Sequence, residues 1–282
     1  MFEFSRHTCI VLLRGNLLLW LSLFLVGCTT VPVLRAPNIL LLGEVHDNPD
    51  GHQQRYEYLL RLIEGGWRPA LVMEQFDREN QGALTTAQKA CPDADCVIRS
   101  AGGKRWDWPH YSPLVELALR YHLPLIAANI SRAEAASVMK SGLPAALDLE
   151  IIAMYGLTMP LPAEVLNGQR VAIETGHCGK VPEFLAQGMV SAQVARDVWM
   201  AHALRTNAKT GAVLIAGNGH VRCDIGVPHW LSVVGVKGVQ THGFIEQGPE
   251  SAELNYDVTH SITVHQRPDP CGDMVLQSKP SL

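Results

Sequence analysis

The sequence lacks an excess of basic residues. Its 282 residues include 23 Lys and Arg against 27 Asp and Glu, which gives a formal net charge of −4. No positive surplus is left to neutralise phosphates, so we expect no nucleic-acid binding. The chain is 18% charged and 47% hydrophobic, which excludes a disordered chain and is enough to build a core. We therefore expect a globular protein with one large domain or two small ones.

The N-terminal region also lacks an apolar run long enough to span a membrane. Residues 17–26 are apolar except for Ser22, whereas a membrane-spanning helix needs about twenty apolar residues. The run is typical of a secretory signal, and it ends in Leu-Val-Gly-Cys, which resembles the lipobox at which bacteria lipidate a cysteine. An ordinary signal peptide or an anchor helix is the alternative. We expect a lipoprotein signal at 1–27, lipidation of Cys28 and a tether at 28–37. Because Thr29 rather than Asp follows the cysteine, we expect anchoring in the outer membrane, facing the periplasm.

The remaining cysteines would then lie in an oxidising compartment. Cys91 and Cys96 enclose the short polar segment Pro-Asp-Ala-Asp and are expected to form a disulfide. Zinc is the rival interpretation, but there is no second Cys/His pair at ligand spacing. The pairing of Cys178, Cys223 and Cys271 cannot be assigned from the sequence.

Short apolar runs alternate with segments of helical periodicity. A run that is apolar at every position is typical of a strand buried on both faces of a parallel sheet. Between the runs, residues 51–64 and 191–207 place apolar side chains on one helical face, and Ser131 with Glu134 forms a capping box. The pattern predicts an α/β protein, a three-layer α/β/α domain with a mainly parallel central sheet and inserted helical segments. The predicted strands are residues 39–42, 70–73, 125–128, 171–173 and 213–216.

This α/β domain is expected to cover residues 38–235, and residues 236–282 are expected to form a C-terminal extension with edge strands.

Polar residues follow each predicted strand. Carboxyl ends of parallel strands gather at one edge of an open sheet, where ligands bind, so these residues should converge. Any one of these polar residues, taken alone, also has a structural explanation, because a His often caps a loop and a Glu often pairs with an arginine. The converging residues are Glu44, His46, Glu74, Arg132, His177 and His220.

Three motifs in a fixed order make a family resemblance specific. They are Gly-Glu-Val-His-Asp-Asn at 43–48, Met-Glu-Gln at 73–75 and Gly-Asn-Gly-His-Val at 217–221. Together they resemble the ChaN family of haem-binding uptake lipoproteins, which shares a superfamily with the Tiki proteases and the erythromycin esterases. The resemblance covers about residues 38–235 and includes the segment 193–197.

The resemblance implies a lipid-anchored protein that binds haem for uptake, as a homodimer, with an outer-membrane haem receptor or a periplasmic haem carrier as its partner. The family precedent is a Tyr axial ligand, whose phenolate favours ferric iron, with a His contributing at the dimer interface. Tyr155 with His177 is the first candidate pair and Tyr111 the second candidate ligand. Arg132 or a histidine such as His46 would hold the propionates. Covalent attachment is excluded, because Cys-x-x-Cys-His is absent.

The superfamily also implies an alternative, a hydrolase. Glu44, His46, Glu74 and His220 would then hold zinc or manganese, or a His/Glu pair would activate water. Neither Gly-x-Ser-x-Gly nor His-Glu-x-x-His is present, so a serine elbow and a zincin helix are excluded. A protein that only binds a partner is the third possibility.

Overall fold

The computed structural model describes residues 36–246, 256–269 and 271–272. The signal at 1–27 and Cys28 lie outside the described residues. The strands are β1 (Ile39–Leu42), β2 (Ala70–Asp77), β3 (Leu125–Asn129), β4 (Ala212–Ile215), β5 (Val239–Glu246) and β6 (Val258–Ile262). The α-helices are α1 (Pro49–Glu64), α2 (Gln81–Ala90), α3 (Ala94–Ala101), α4 (Ser112–Arg120), α5 (Arg132–Ser141), α6 (Leu149–Met154), α7 (Ala163–Gly176), α8 (Glu183–Asn207) and α9 (Val227–Val233).

The described strands form one sheet in the order β3-β2-β4-β1-β5-β6, and every neighbouring pair is parallel. The predicted α/β class is therefore confirmed. β5 and β6, which follow residue 235, pair onto β1 and extend the sheet to its edge. Parallel pairing requires crossover connections, and helices supply them between consecutive strands from β1 to β5.

The sheet is covered by helices on both faces, as the uniformly apolar strands predict. Along β1, Leu40 and Leu42 belong to a core shared with α1–α4, whereas Ile39 and Leu41 belong to a core shared with α5–α9. All four side chains are fully buried, and each contributes roughly 1.5–3 kcal/mol relative to an exposed side chain. This alternation produces the three layers.

Helix boundaries follow local signals in the sequence. The Asn48 side chain accepts a hydrogen bond from the Gly51 N–H and caps α1, and Pro49 occupies its first turn. α1 ends at Gly65, and Gly66 then adopts a left-handed φ of +100°. The predicted capping box of Ser131 and Glu134 is present at the start of α5. No helix within the described ranges is both long and apolar enough to span a membrane.

One of the predicted strands is wrong. Residues 171–173 lie in α7, where Val171 is 60% exposed. A short apolar run does not distinguish a strand from a helix, and here the buried Val165 and Gln169 show the spacing of a helical face. His177 consequently caps the end of a helix instead of following a strand. The predictions for the other runs, which form β1–β4, are confirmed.

Disulfides fasten two surface segments. The predicted Cys91–Cys96 bond joins the residue that follows α2 to the first turn of α3. Cys178, just after α7, pairs with Cys271 near the C-terminus. Cys223 is free.

Candidate functional site

A cleft of about 720 Å³ opens at the carboxyl ends of β1 and β4, within the size range of ligand pockets. A groove of about 880 Å³ lies elsewhere, beside α2 and α4, and contains none of the motif residues. The residues that line the cleft are Glu44, Val45, His46, Asp47, Gly176, Gln193, Gly217, Asn218, Gly219, His220 and Arg267.

Glu44 lies buried at the base of the cleft with both carboxylate oxygens in use. Its Oε1 accepts hydrogen bonds from the Tyr111 hydroxyl at 2.6 Å and from the Gln75 amide at 3.2 Å. Its Oε2 is paired with the guanidinium of Arg55, which is fully buried. Since Glu44 is an acceptor throughout, His46 Nδ1, 2.7 Å from Oε1, carries the proton.

His46 is the exposed member of this cluster. With Nδ1 donating to Glu44, Nε2 is the ring nitrogen left to face the cleft. The His46 side chain is 51% exposed, and its ring packs edge-on against Trp106 with ring centroids 5.1 Å apart. A Cβ at Gly217 would lie 3.0 Å from His46 Nε2, so the glycine leaves the space in front of this nitrogen open.

His52 and Arg55 fix the backbone that carries His46. The guanidinium of Arg55 can only donate, so His52 Nδ1 accepts from it at 2.7 Å, and His52 Nε2–H donates to the His46 carbonyl at 2.9 Å. Burial lowers the pKa of His52 to about 4, which keeps this ring neutral and in the tautomer that both bonds require. These contacts give His52 a structural role.

A second cluster centres on His220, which is 7% exposed. Its Nδ1 lies 2.5 Å from Asp197 Oδ1 and its Nε2 lies 3.5 Å from Glu74 Oε1. The Gln169 amide also donates to Asp197, and the Gly217 N–H donates to Glu74. Burial disfavours charge on His220, but the two carboxylates outweigh it and raise the pKa of His220 to about 10. His220 is therefore a buried imidazolium between two carboxylates.

Glu74 connects the two clusters. It lies within β2, where the register with β3 shifts between Met73 and Asp77. Burial opposes its ionisation, yet the neighbouring His220 lowers the pKa of Glu74 to about 2. Across the described ranges, no three His, Cys, Asp or Glu side chains are grouped to hold a metal ion. The cleft thus offers an oriented imidazole and a buried charge network instead of an assembled metal centre.

The fold brings four of the predicted residues together, namely Glu44, His46, Glu74 and His220. All of them except Glu74 line the cleft directly. His177 follows the lining residue Gly176, and its Nδ1–H donates to a carbonyl within its own helix at 2.7 Å.

Three other predicted residues lie away from the cleft opening. Arg132 is exposed at the start of α5 and is not among the lining residues. Tyr155 is 1% exposed in the core shared with α8, and its hydroxyl has no hydrogen-bond partner. Tyr111 is fully buried beneath Glu44. Neither phenol reaches the cleft, because each ring packs inward from the end of a helical segment.

Sequence reasoning missed Arg55, and it noted Asp197 only as part of a family pattern. A signal for both exists. Each lies on the apolar face of its helix, Arg55 between His52 and Leu59, and Asp197 beside Val194 and Val198. A charged residue on a buried helix face requires an opposite charge across the core. Arg267 had no such signal, because its partners Asp47 and Glu246 are far away in the sequence.

Gly43 shows how tightly the walls of the cleft meet. A Cβ there would overlap Asn218 Oδ1 and lie 2.8 Å from Val221 Cγ2. We expect Gly43→Ala to lower the free energy of unfolding by about 1–3 kcal/mol, measured by urea unfolding. Gly219→Ala is the control, because nothing lies within 4 Å of its Cβ position. Equal losses in the two variants would contradict the proposed overlap.

The fold and the site define a class of parallel α/β proteins with a histidine–carboxylate cleft at the carboxyl edge of the sheet. Residues 31–231 match the family model described as haem-binding uptake, Tiki superfamily, ChaN. The chain belongs to this family.

Two solved structures are similar to the chain, and the first of them supports the fold. One, described as cofacial haem binding to ChaN of Campylobacter jejuni, has 21% sequence identity and a TM-score of 0.61, and the match covers 79% of this chain and 86% of that chain. An erythromycin esterase, EreC, in its open conformation has 14% identity and a TM-score of 0.41, covering 77% of this chain and 74% of that chain. Among curated proteins, no match to the chain is found.

Proposed function

We propose that this chain binds haem in the cleft and serves haem uptake. The observation that carries the proposal is His46, an exposed imidazole whose Nδ1 is fixed by Glu44 and whose Nε2 faces a cleft of about 720 Å³. Haem supplies an iron with axial positions for such a nitrogen. The half-buried Trp106 beside His46 adds an aromatic surface suited to a flat macrocycle. The residues present therefore fit the group.

His46 is our candidate for the iron ligand. Histidines that bind metals commonly donate their other ring N–H to a carboxylate, which orients the ring and makes it more basic. Glu44 has this position relative to His46, and Arg55, Tyr111 and Gln75 in turn hold Glu44. A tyrosine ligand would require Tyr155 or Tyr111 to leave the core first, because both are buried.

The finer features of the proposal come from the sequence and the family. They are a lipid anchor at Cys28 in the outer membrane facing the periplasm, a homodimer that covers the second face of the haem, and a haem receptor or haem carrier as partner. The lipobox at residues 25–28 supports the anchor, and the family description supports uptake. Sedimentation with and without hemin would test the dimer.

Hemin titration of the chain without residues 1–28 tests haem binding and its ligand. We expect a sharpened Soret band in the wild type and a loss of affinity of at least about 10–100-fold in His46→Ala, because removing a metal ligand should cost no less than removing the group that supports it. Tyr155→Phe is the control, because it keeps the core filled. If Tyr155→Phe loses the band and His46→Ala keeps it, the ligand assignment is wrong and haem binding stands. No spectral change in the wild type would refute the proposal itself.

Hydrolysis is the second candidate function, favoured by the same nitrogen. His46 Nε2 could accept a proton from water, near the charged pair of Glu74 and His220. An assay with a panel of activated esters and a peptide library would reveal it. Turnover that disappears in His46→Ala, without hemin binding, would favour the hydrolase.

A further inference from the structure

A C-terminal strap, residues 263–269 with Cys271, runs beside the cleft after β6. At its start, the Thr263 N–H donates to Asp50 Oδ2 at 2.7 Å, and the Thr263 carbonyl accepts from the Asn48 amide at 2.7 Å. Asn48 and Asp50 begin α1, directly after His46 and Asp47. The strap is thus attached to the segment that carries the exposed imidazole of the cleft.

Arg267, in the middle of the strap, lines the cleft. Its guanidinium donates to both oxygens of Asp47, at 2.8 and 2.9 Å, and to both oxygens of Glu246, at 2.7 and 2.9 Å. Bidentate pairs of this kind fix direction as well as distance. Because Asp47 adjoins His46, Arg267 ties the strap to one wall of the cleft.

The far end of the strap is attached to another part of the cleft wall. Cys271 is bonded to Cys178, and its carbonyl accepts from Lys180 Nζ at 2.8 Å. Cys178 lies two residues after Gly176, which lines the cleft, in a turn where Cys178 itself has a left-handed φ of +60°. The strap therefore links two parts of the cleft wall. Hydrogen bonds attach it to the His46 segment, and a disulfide attaches it to the turn after α7.

We propose that this disulfide-closed strap gates the cleft. By linking two of its walls, the strap limits how far they separate and so slows entry and exit of a large, flat ligand. The strap lies after residue 231, where the family match ends, so the matched region does not include it. The identification of the ligand as haem rests on the proposed function. The gate itself is argued from the contacts of the strap.

The test compares two variants that each lose one disulfide, Cys178→Ser/Cys271→Ser and the control Cys91→Ser/Cys96→Ser. Cys91 borders the separate groove beside α2 and no part of the cleft. Hemin association is followed by stopped flow, and hemin release by transfer to excess apomyoglobin. We expect both rates to rise at least about fivefold without the strap disulfide, as for an opened lid, and to stay within about twofold in the control. The equilibrium affinity should change less than either rate.

A second measurement does not use haem. Diethyl pyrocarbonate acylates accessible imidazole nitrogens, and mass spectrometry of the haem-free protein gives the rate at His46, with the exposed His122 as internal reference. Labelling of His46, but not of His122, should accelerate in Cys178→Ser/Cys271→Ser. If that variant does not fold, Arg267→Gln with the disulfide intact should show the same acceleration.

The outcomes separate the two proposals. Faster His46 labelling without hemin binding in the wild type would overturn the haem function and support the gate. Hemin binding with unchanged rates and unchanged His46 labelling would overturn the gate and leave a purely structural disulfide.

Discussion

Asp197→Asn should lower the free energy of unfolding by about 3–5 kcal/mol, the cost of removing one partner of a buried ion pair. Asp197 is fully buried and faces the imidazolium of His220 at 2.5 Å. Asparagine has nearly the same shape, so packing is conserved. The change removes the charge together with one of the two hydrogen bonds that the Asp197 oxygens accept from His220 and Gln169. With the carboxylate gone, His220 keeps only the more distant Glu74, 3.5 Å away, as an anionic partner.

Urea unfolding at pH 7 measures this loss. Glu183→Gln is the matched control, because it also removes a carboxylate from an ion pair, here with Arg170, but the Glu183 side chain is 81% exposed. Exposed pairs contribute about 0–1 kcal/mol. Similar small losses in both variants would show that His220 does not depend on Asp197 for its charge.

The strands show which parts of the fold can be predicted from local sequence. β1 and β4 are apolar at every position because both faces of the sheet are covered, and this pattern identified them. Residues 171–173 have the same composition, but Val171 faces solvent on α7. The composition of three residues does not show which other segments pack against them in the folded protein. The error therefore reflects tertiary packing, which overrides short local patterns.

The site was predictable to the extent that it depends on strand ends. Glu44, His46 and His220 converge because parallel strands end at one edge, which is a property of the fold class. Their partners are set by long-range contacts instead. Tyr111 reaches Glu44 across 67 residues of sequence, and Asp197 reaches His220 from the middle of α8. Such pairs need the packed structure, although a charge on a buried helix face indicates that a partner exists.

The placement of Tyr155 has a similar cause. The family resemblance made Tyr155 a candidate haem ligand, but its apolar neighbours pack it into the core beneath α8. An apolar segment with a tyrosine is as compatible with a core as with a ligand pocket. A histidine directly after a buried strand, such as His46, is the more informative signal, because the carboxyl ends of parallel strands meet at the edge where ligands bind.

The stability of the protein should be greatest near neutral pH and fall on both sides. The pKa of His220 is raised from 6.5 to about 10, so its contribution is complete below pH 6.5 and is lost as the pH rises toward 10. The pKa values of buried His52 and His242 are lowered from 6.5 to about 4, so their contributions are complete above pH 6.5 and are lost as the pH falls toward 4. Glu74, with its pKa lowered from 4.5 to about 2, adds a further loss below pH 4.5.

The alkaline side of this profile isolates His220. Between pH 7.5 and 8.5, where ordinary histidines no longer change charge, one such group changes the free energy of unfolding by up to about 1.4 kcal/mol per pH unit, so we expect a loss of about 1 kcal/mol over the interval. Urea unfolding at several pH values measures it. Asp197→Asn should show a smaller decline, since one of the two carboxylates that raise the pKa of His220 is gone, and Glu183→Gln should keep the full decline. A flat profile in the wild type would mean that His220 is neutral in the folded protein. Glu74 and Asp197 would then lie beneath the cleft without a cationic partner at His220, and Asp197 would accept its hydrogen bond from a neutral imidazole rather than form an ion pair.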